Sequence, residues 1–249
     1  MVTLDSEKVV VTLERLQARV AARFPASGLS AVAADLVTEA RSTARRAAAI
    51  ARPYPVTRLF VGLVIVLIAA AAVELWWLGG AAGLDWLGFL KAGKTRGGFD
   101  PLNLAAGLES VVNLAILGSL SIWFLINAEA RAKRKRTLTA LHGLRSLAHV
   151  IDMHQLTKDP TVVLARGQDT SASPSRSMDQ FQLTRYLDYC AEMLALIGKL
   201  AALYAARTQD PQVIAAVNDI ETLCTDLSRK IWQKITILSA LDEGAVKRG

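Results

Sequence analysis

Two stretches of the chain are apolar almost without a break. The rest alternates apolar and polar positions at helical spacing. The first stretch, Leu59 to Leu78 (LFVGLVIVLIAAAAVELWWL), has a single charge, Glu74. A bilayer core of about 30 Å takes about 20 helical residues, so this stretch predicts a membrane span. Trp76 and Trp77 close it, where indoles favour the headgroup region. The second stretch, Leu104 to Ile126 (LAAGLESVVNLAILGSLSIWFLI), also has one charge, Glu109. It is too long and too evenly apolar for an ordinary buried core helix and predicts a second span.

Before the first span, Val9, Leu13, Leu16, Val20 and Phe24 repeat at helical spacing, and Pro25 and Gly28 end the run. An alanine-rich stretch over about 29–51 follows, carrying Leu29, Val32, Leu36, Ala40, Ala44 and Ala47. Pro53 and Pro55 stop it. The two form a helical hairpin whose apolar face must bury against itself, the C-terminal part, a second subunit or lipid. After the second span the helical pattern continues to about Leu156, so the span and residues 137–156 are expected to share one helix of roughly 75–80 Å. Residues 160–177 read as a loop, Ser- and Pro-rich over 170–177. Ser177-Met178-Asp179-Gln180 reads as a capping box opening a helix. Its stripe is Leu183, Leu187, Cys190, Leu194, Ile197, Leu200 and Tyr204, opposite Gln182, Arg185, Asp188, Glu192 and Lys199. Asp210-Pro211 reads as the cap and first turn of a last helix. Its stripe is Val213, Val217, Ile220, Cys224, Leu227, Ile231, Ile235 and Leu238.

The expected fold class is an all-α integral membrane protein: a two-span transmembrane hairpin with an N-terminal helical hairpin and a C-terminal cytoplasmic three-helix bundle. The expected segments are the hairpin (1–57), two spans with an outward loop 79–103 (58–127), a continuing helix (128–159), a loop (160–177) and the rest of the bundle (178–249).

Charge then orients this plan. The chain carries 29 Lys+Arg against 22 Asp+Glu, unevenly placed. Residues 1–58 hold nine basic and five acidic side chains, 128–166 hold eight and three, and 167–249 hold nine and ten. The excess flanks the apolar runs, where basic residues stay on the cytoplasmic side, so both termini are expected there. The connecting loop has only Lys91, Lys94 and Arg96 with Asp85 and Asp100. The first twenty residues do not read as a secretory signal or transit peptide. The Ala and Arg content suggests a bacterial inner (plasma) membrane. Charge along apolar flanks, without interleaved aromatics or a known motif, argues against a nucleic-acid partner. Cys190 and Cys224, outside any metal or redox spacing, read as small core residues.

Three places hold candidate chemistry. His142, Arg145, His149 and Asp152 fall within an arc of about 80° on one helix. That stripe suits an anion, or a metal if another helix adds Asp188 or Glu192; otherwise it is a polar strip with Asp152 paired to His149. Inside the spans, Glu109 and Asn113 share a face, and Glu74 lies near the outer end of the first span. Intramembrane carboxylates are costly and point to function or to snorkelling. Arg131, Lys133, Arg134, Lys135 and Arg136 suit anionic lipid headgroups, beyond serving as a topology signal. No cofactor is indicated. The leading expectation is a non-enzymatic membrane-anchored interaction or regulatory module, forming a homo-oligomer or binding a partner protein. The alternatives are an oligomeric pore or cation channel with Glu109 on its axis, and a metal- or anion-dependent enzyme using the histidine stripe.

Overall fold

The structure, a computed structural model, describes residues 4–50, 54–81, 101–156, 158 and 178–246. Every element among them is an α-helix: α1 (Ser6–Arg23), α2 (Gly28–Ile50), α3 (Pro55–Ala81), α4 (Pro101–Leu156), α5 (Gln180–Ala205) and α6 (Pro211–Val246). The expected loop over 160–177 lies outside the described residues, as does most of the expected outward loop. Two compact units result, Met1–Arg52 with Lys133–Gly249, and Pro53–Ala132.

In the first unit the N-terminal hairpin chooses among its possible partners: both α1 and α2 pack on α5. Phe24 meets Tyr186 and Tyr189 edge to face, with ring centroids 5.5 and 6.3 Å apart. Arg19 pairs with Glu192 at 2.6 Å, and the Tyr204 hydroxyl donates to Thr43 Oγ1 at 3.5 Å. α6 covers α5 more extensively than any other helix does. Residues 137–155 of α4 add Ala140, Leu141, Leu144, Ala148 and Ile151 to the same core. α5 is therefore buried on nearly every side. Beyond its expected stripe it hides Tyr186, Tyr189, Met193, Leu196 and Leu203. Phe181, Gln182, Arg185, Ala195 and Lys199 alone stay exposed on it, and so wide an apolar surface puts α5 at the centre with amphipathic helices around it. At Gly198 a β-carbon would lie 4.0 Å from Glu221 Cγ, an ordinary contact, so the approach of α6 does not depend on this glycine.

The helix ends follow local chemistry. Asp5 accepts the amide of Glu7 at 2.9 Å to start α1. Ser27 Oγ accepts the amide of Ser30 at 3.2 Å to start α2. Between them Ala26 is left-handed, at φ 55°. The capping box of α5 is built two residues later than Ser177 and Gln180 suggest. Asp179 caps, and the side chain of Gln182 returns to the Asp179 amide at 3.2 Å. Gln180 instead donates to the Leu238 carbonyl at 2.7 Å, tying α5 to α6. Asp210 caps α6 as expected, accepting the amides of Gln212 and Val213. At the far end of α4, Lys234 Nζ donates to the Gln155 carbonyl at 3.1 Å, a cation on a helix C-terminus.

The second unit has the opposite surface. α3 and the first part of α4 are long and apolar enough to cross a membrane, and their large side chains face outward. Leu59 is 73% exposed and Leu117 63%. Two contacts between the helices involve a small or a polar residue. Gly118 is buried against α3, and a β-carbon there would fall 2.2 Å from Ile68 Cδ1. Glu129 accepts the amide of Tyr54 at 3.1 Å, placing a carboxylate at the N-terminus of α3. The expected continuity of the second apolar run with the histidine stripe holds, because α4 is helical throughout Pro101–Leu156.

Candidate functional site

The histidine stripe lies on the solvent side of α4. The inward face of the same helix is taken by Leu141, Leu144, Ala148 and Ile151, each no more than 2% exposed. His142, Arg145 and His149 are exposed, and Asp152 is half-buried. Asp152 Oδ1 accepts from Gln155 Nε2 at 2.5 Å, and Gln155 Oε1 accepts from Lys234 Nζ at 2.6 Å. Asp152 thus feeds a chain that holds α4 to α6. The two carboxylates from which a further ligand was expected are engaged on their own account. Asp188 pairs with Arg185 at 3.3 Å, and Glu192 with Arg19. Among the described residues no group of three or more His, Cys, Asp or Glu side chains could hold a metal ion. His154, five residues past His149 and so on another face of α4, is half-buried over Gly28. A β-carbon at that glycine would stand 2.5 Å from His154 Cε1.

In the second unit Glu109 and Asn113 are both exposed. Gly118 marks the side of α4 that meets α3. Nine residues separate Glu109 from Gly118, and at 3.6 residues per turn they lie about 180° apart. Glu109 therefore projects from the face of α4 opposite α3. The side chain of Glu74 falls outside the described residues.

The basic cluster divides into different tasks. Arg131 lies 5.8 Å over the Phe124 ring. Arg134 Nε donates to Asp210 Oδ2 at 2.5 Å, binding α4 to the start of α6. Lys133 and Arg136 also have partners, and Lys135 is exposed. Burial alone would raise the Asp210 carboxyl, but the Arg134 guanidinium and the two α6 amides outweigh it and hold the group below its ordinary value.

Sequence reasoning missed a groove of about 540 Å³ between α5 and α6. Leu194, Gly198 and Cys224 line it, with Lys199, Glu221 and Arg229 among its polar residues and Trp232 at its edge. Trp232 is 58% exposed, a large aromatic outside the regular stripe of α6. That break in an otherwise regular pattern was the signal available in the sequence. Burial pushes the Cys224 thiol up to about 11, and the Cys190 thiol, deeper in the core, up to about 12 despite the nearby Lys234. Neither is a ready nucleophile. No family model, curated protein or solved structure matches this chain.

Proposed function

We propose that the chain is a two-span integral membrane protein of the plasma (inner) membrane, with both termini in the cytoplasm. Its helical bundle is a non-enzymatic module that binds a partner protein through the α5–α6 groove. The outward apolar faces of α3 and α4 carry this reading. Water would penalise each of those side chains by roughly 1.5–3 kcal/mol relative to burial, whereas lipid would not. The groove supports the interaction role, because Trp and Arg, here the exposed Trp232 and Arg229, are the residues enriched at interface hot spots. The solvated histidine stripe, with its candidate carboxylates engaged elsewhere, supports a non-enzymatic role.

The test has two parts. Cysteines placed at 85–96 should react with an impermeant reagent on intact cells, and cysteines near residue 10 or 240 should react only after lysis. The reverse pattern overturns the topology. A photo-crosslinker replacing Trp232 should give one discrete adduct in cells, and an uncrosslinked monomer overturns the module.

A second reading has one observation in its favour, the projection of Glu109 away from α3. A carboxylate facing hydrocarbon costs several kcal/mol and calls for a partner. Several copies around an axis would supply one, and an acidic ring there would favour cations. A monomeric mass in mild detergent excludes this arrangement.

A further inference from the structure

Several exposed cations of the first unit gather at one end. Tyr204 lies by Thr43 and Arg46, bringing the last turns of α2 and α5 together. Arg134 on Asp210 brings in the start of α6 and the part of α4 that enters this unit. Arg207 stands in the α5–α6 turn, its amide bonded to the Tyr204 carbonyl at 3.1 Å. Four elements thus meet at one pole, with Arg45, Arg46, Lys135, Arg136 and Arg207 all exposed there.

The acids at this pole are mostly committed. Glu39 holds Arg46 at 2.9 Å, Asp210 holds Arg134, and Asp5 caps α1. Glu7 remains as an opposing charge. Arg45, Lys135 and Arg207 have no ion pair among the described residues. At the other pole, two of the cations lie over aromatic rings: Arg23 over Phe181 and Lys158 over Tyr186, at 5.3 and 5.6 Å.

We infer that the pole carrying Arg45, Lys135 and Arg207 docks on an anionic phospholipid surface. The inference rests on the two-span reading. Chain continuity identifies the partner: α2 leaves the unit from this pole toward α3, and α4 enters at it from the second apolar stretch. Along the chain, Arg45 precedes the first apolar run by 14 residues and Lys135 follows the second by nine, so on the two-span reading both belong near lipid headgroups. Arg207 extends the basic surface seen in the sequence. It lies more than seventy residues beyond Arg136, in a segment with no net basic excess, and the Arg134–Asp210 pair brings its turn to α4. Phosphate esters suit this pole through guanidinium forks and an ammonium.

The test uses the full chain in nanodiscs of phosphatidylcholine, with or without phosphatidylglycerol, and reads amide exchange by mass spectrometry. Failure to incorporate overturns the two-span reading and this inference with it. Once the protein is incorporated, exchange at 205–210 should slow by at least about fivefold when phosphatidylglycerol is present, the factor expected for one cation at such a surface. The α1–α2 turn at 24–27, at the other pole, should not change. The protection should vanish near 1 M salt, where the screening length is about 3 Å. It should also vanish in the triple variant Arg45→Gln, Lys135→Gln, Arg207→Gln, but persist in Arg185→Gln, Lys199→Gln, Arg229→Gln. Equal exchange in both lipids, or loss of protection in the second triple variant, overturns the inference while leaving the spans in place. Equal protection by duplex DNA over phosphatidylcholine alone overturns lipid as the partner.

Discussion

The two units use the same secondary structure with opposite surfaces. In the bundle, Leu187, Leu194 and Ile197 are fully buried, and charges such as Arg19 and Glu192 lie outside. In residues 53–132 Leu59, Leu63, Leu67, Leu117 and Leu120 lie outside, while Gly118 packs on Ile68 and Glu129 accepts the Tyr54 amide. Water expels apolar surface and so drives the first arrangement. Where the surroundings are as apolar as leucine that drive vanishes, and close packing of small residues with shared hydrogen bonds takes over. Along α4 alone, Leu117 and Leu120 are exposed while Leu141 and Leu144 are hidden.

The most forceful way to break this comparison is a matched pair of truncations. Leu194→Ala should destabilise the bundle by about 2–5 kcal/mol, read from thermal unfolding in detergent. Leu117→Ala should leave the transition nearly in place, and equal losses would mean that α4 hides its first half against something. Leu117→Arg asks the reverse question. It should disfavour insertion by about 3 kcal/mol, seen as a smaller membrane-integrated fraction during synthesis, with bundle unfolding unchanged.

Asp210→Ala removes a helix cap and the partner of Arg134, and should cost about 2 kcal/mol in the bundle. Its pH dependence has a definite sign. The folded carboxyl is held below its unfolded value, so its stabilisation is present above about pH 4 and is lost as pH falls through the folded value. The variant should accordingly show a shallower acid limb in a stability–pH curve than the wild type. The smallest effect sharpens the picture of the turn at the opposite pole. Ala26→Gly relieves a left-handed alanine and should raise bundle stability by up to about 1 kcal/mol, with no change in insertion.

The stripes of α1, α2 and α6 were legible because each of these helices has one buried face, and period 3.6 reports one face well, except in α2, where Thr43 is buried and Ala44 only half so. α5 was legible only in part. Its second apolar side, Tyr186, Tyr189, Met193 and Leu196, runs among polar residues, and only a partner packed there makes it a face. That partner is the N-terminal hairpin, and periodicity carries no record of which distant helix will fit. The capping box slipped by two positions because Ser177, Asp179, Gln180 and Gln182 offer overlapping registers that local sequence does not rank. The histidine stripe was visible as a stripe, yet what stands opposite a side chain is a tertiary fact: Glu192 was bound to Arg19. The cationic pole was half visible, since Arg131 to Arg136 are contiguous and Arg207 joins them only through the fold.

The bundle is closed by segments from both ends of the chain, and this sets an order on its making. The hairpin of α1 and α2 leaves the ribosome first, with Leu13, Leu16, Leu29 and Leu36 turned toward a helix that does not yet exist. Some 150 residues separate the end of α2 from the end of α5, and at about 5–20 residues per second that interval is on the order of ten seconds or more. Both apolar helices are synthesised within it. For that time α1 and α2 have only each other to cover the leucines that α5 later buries.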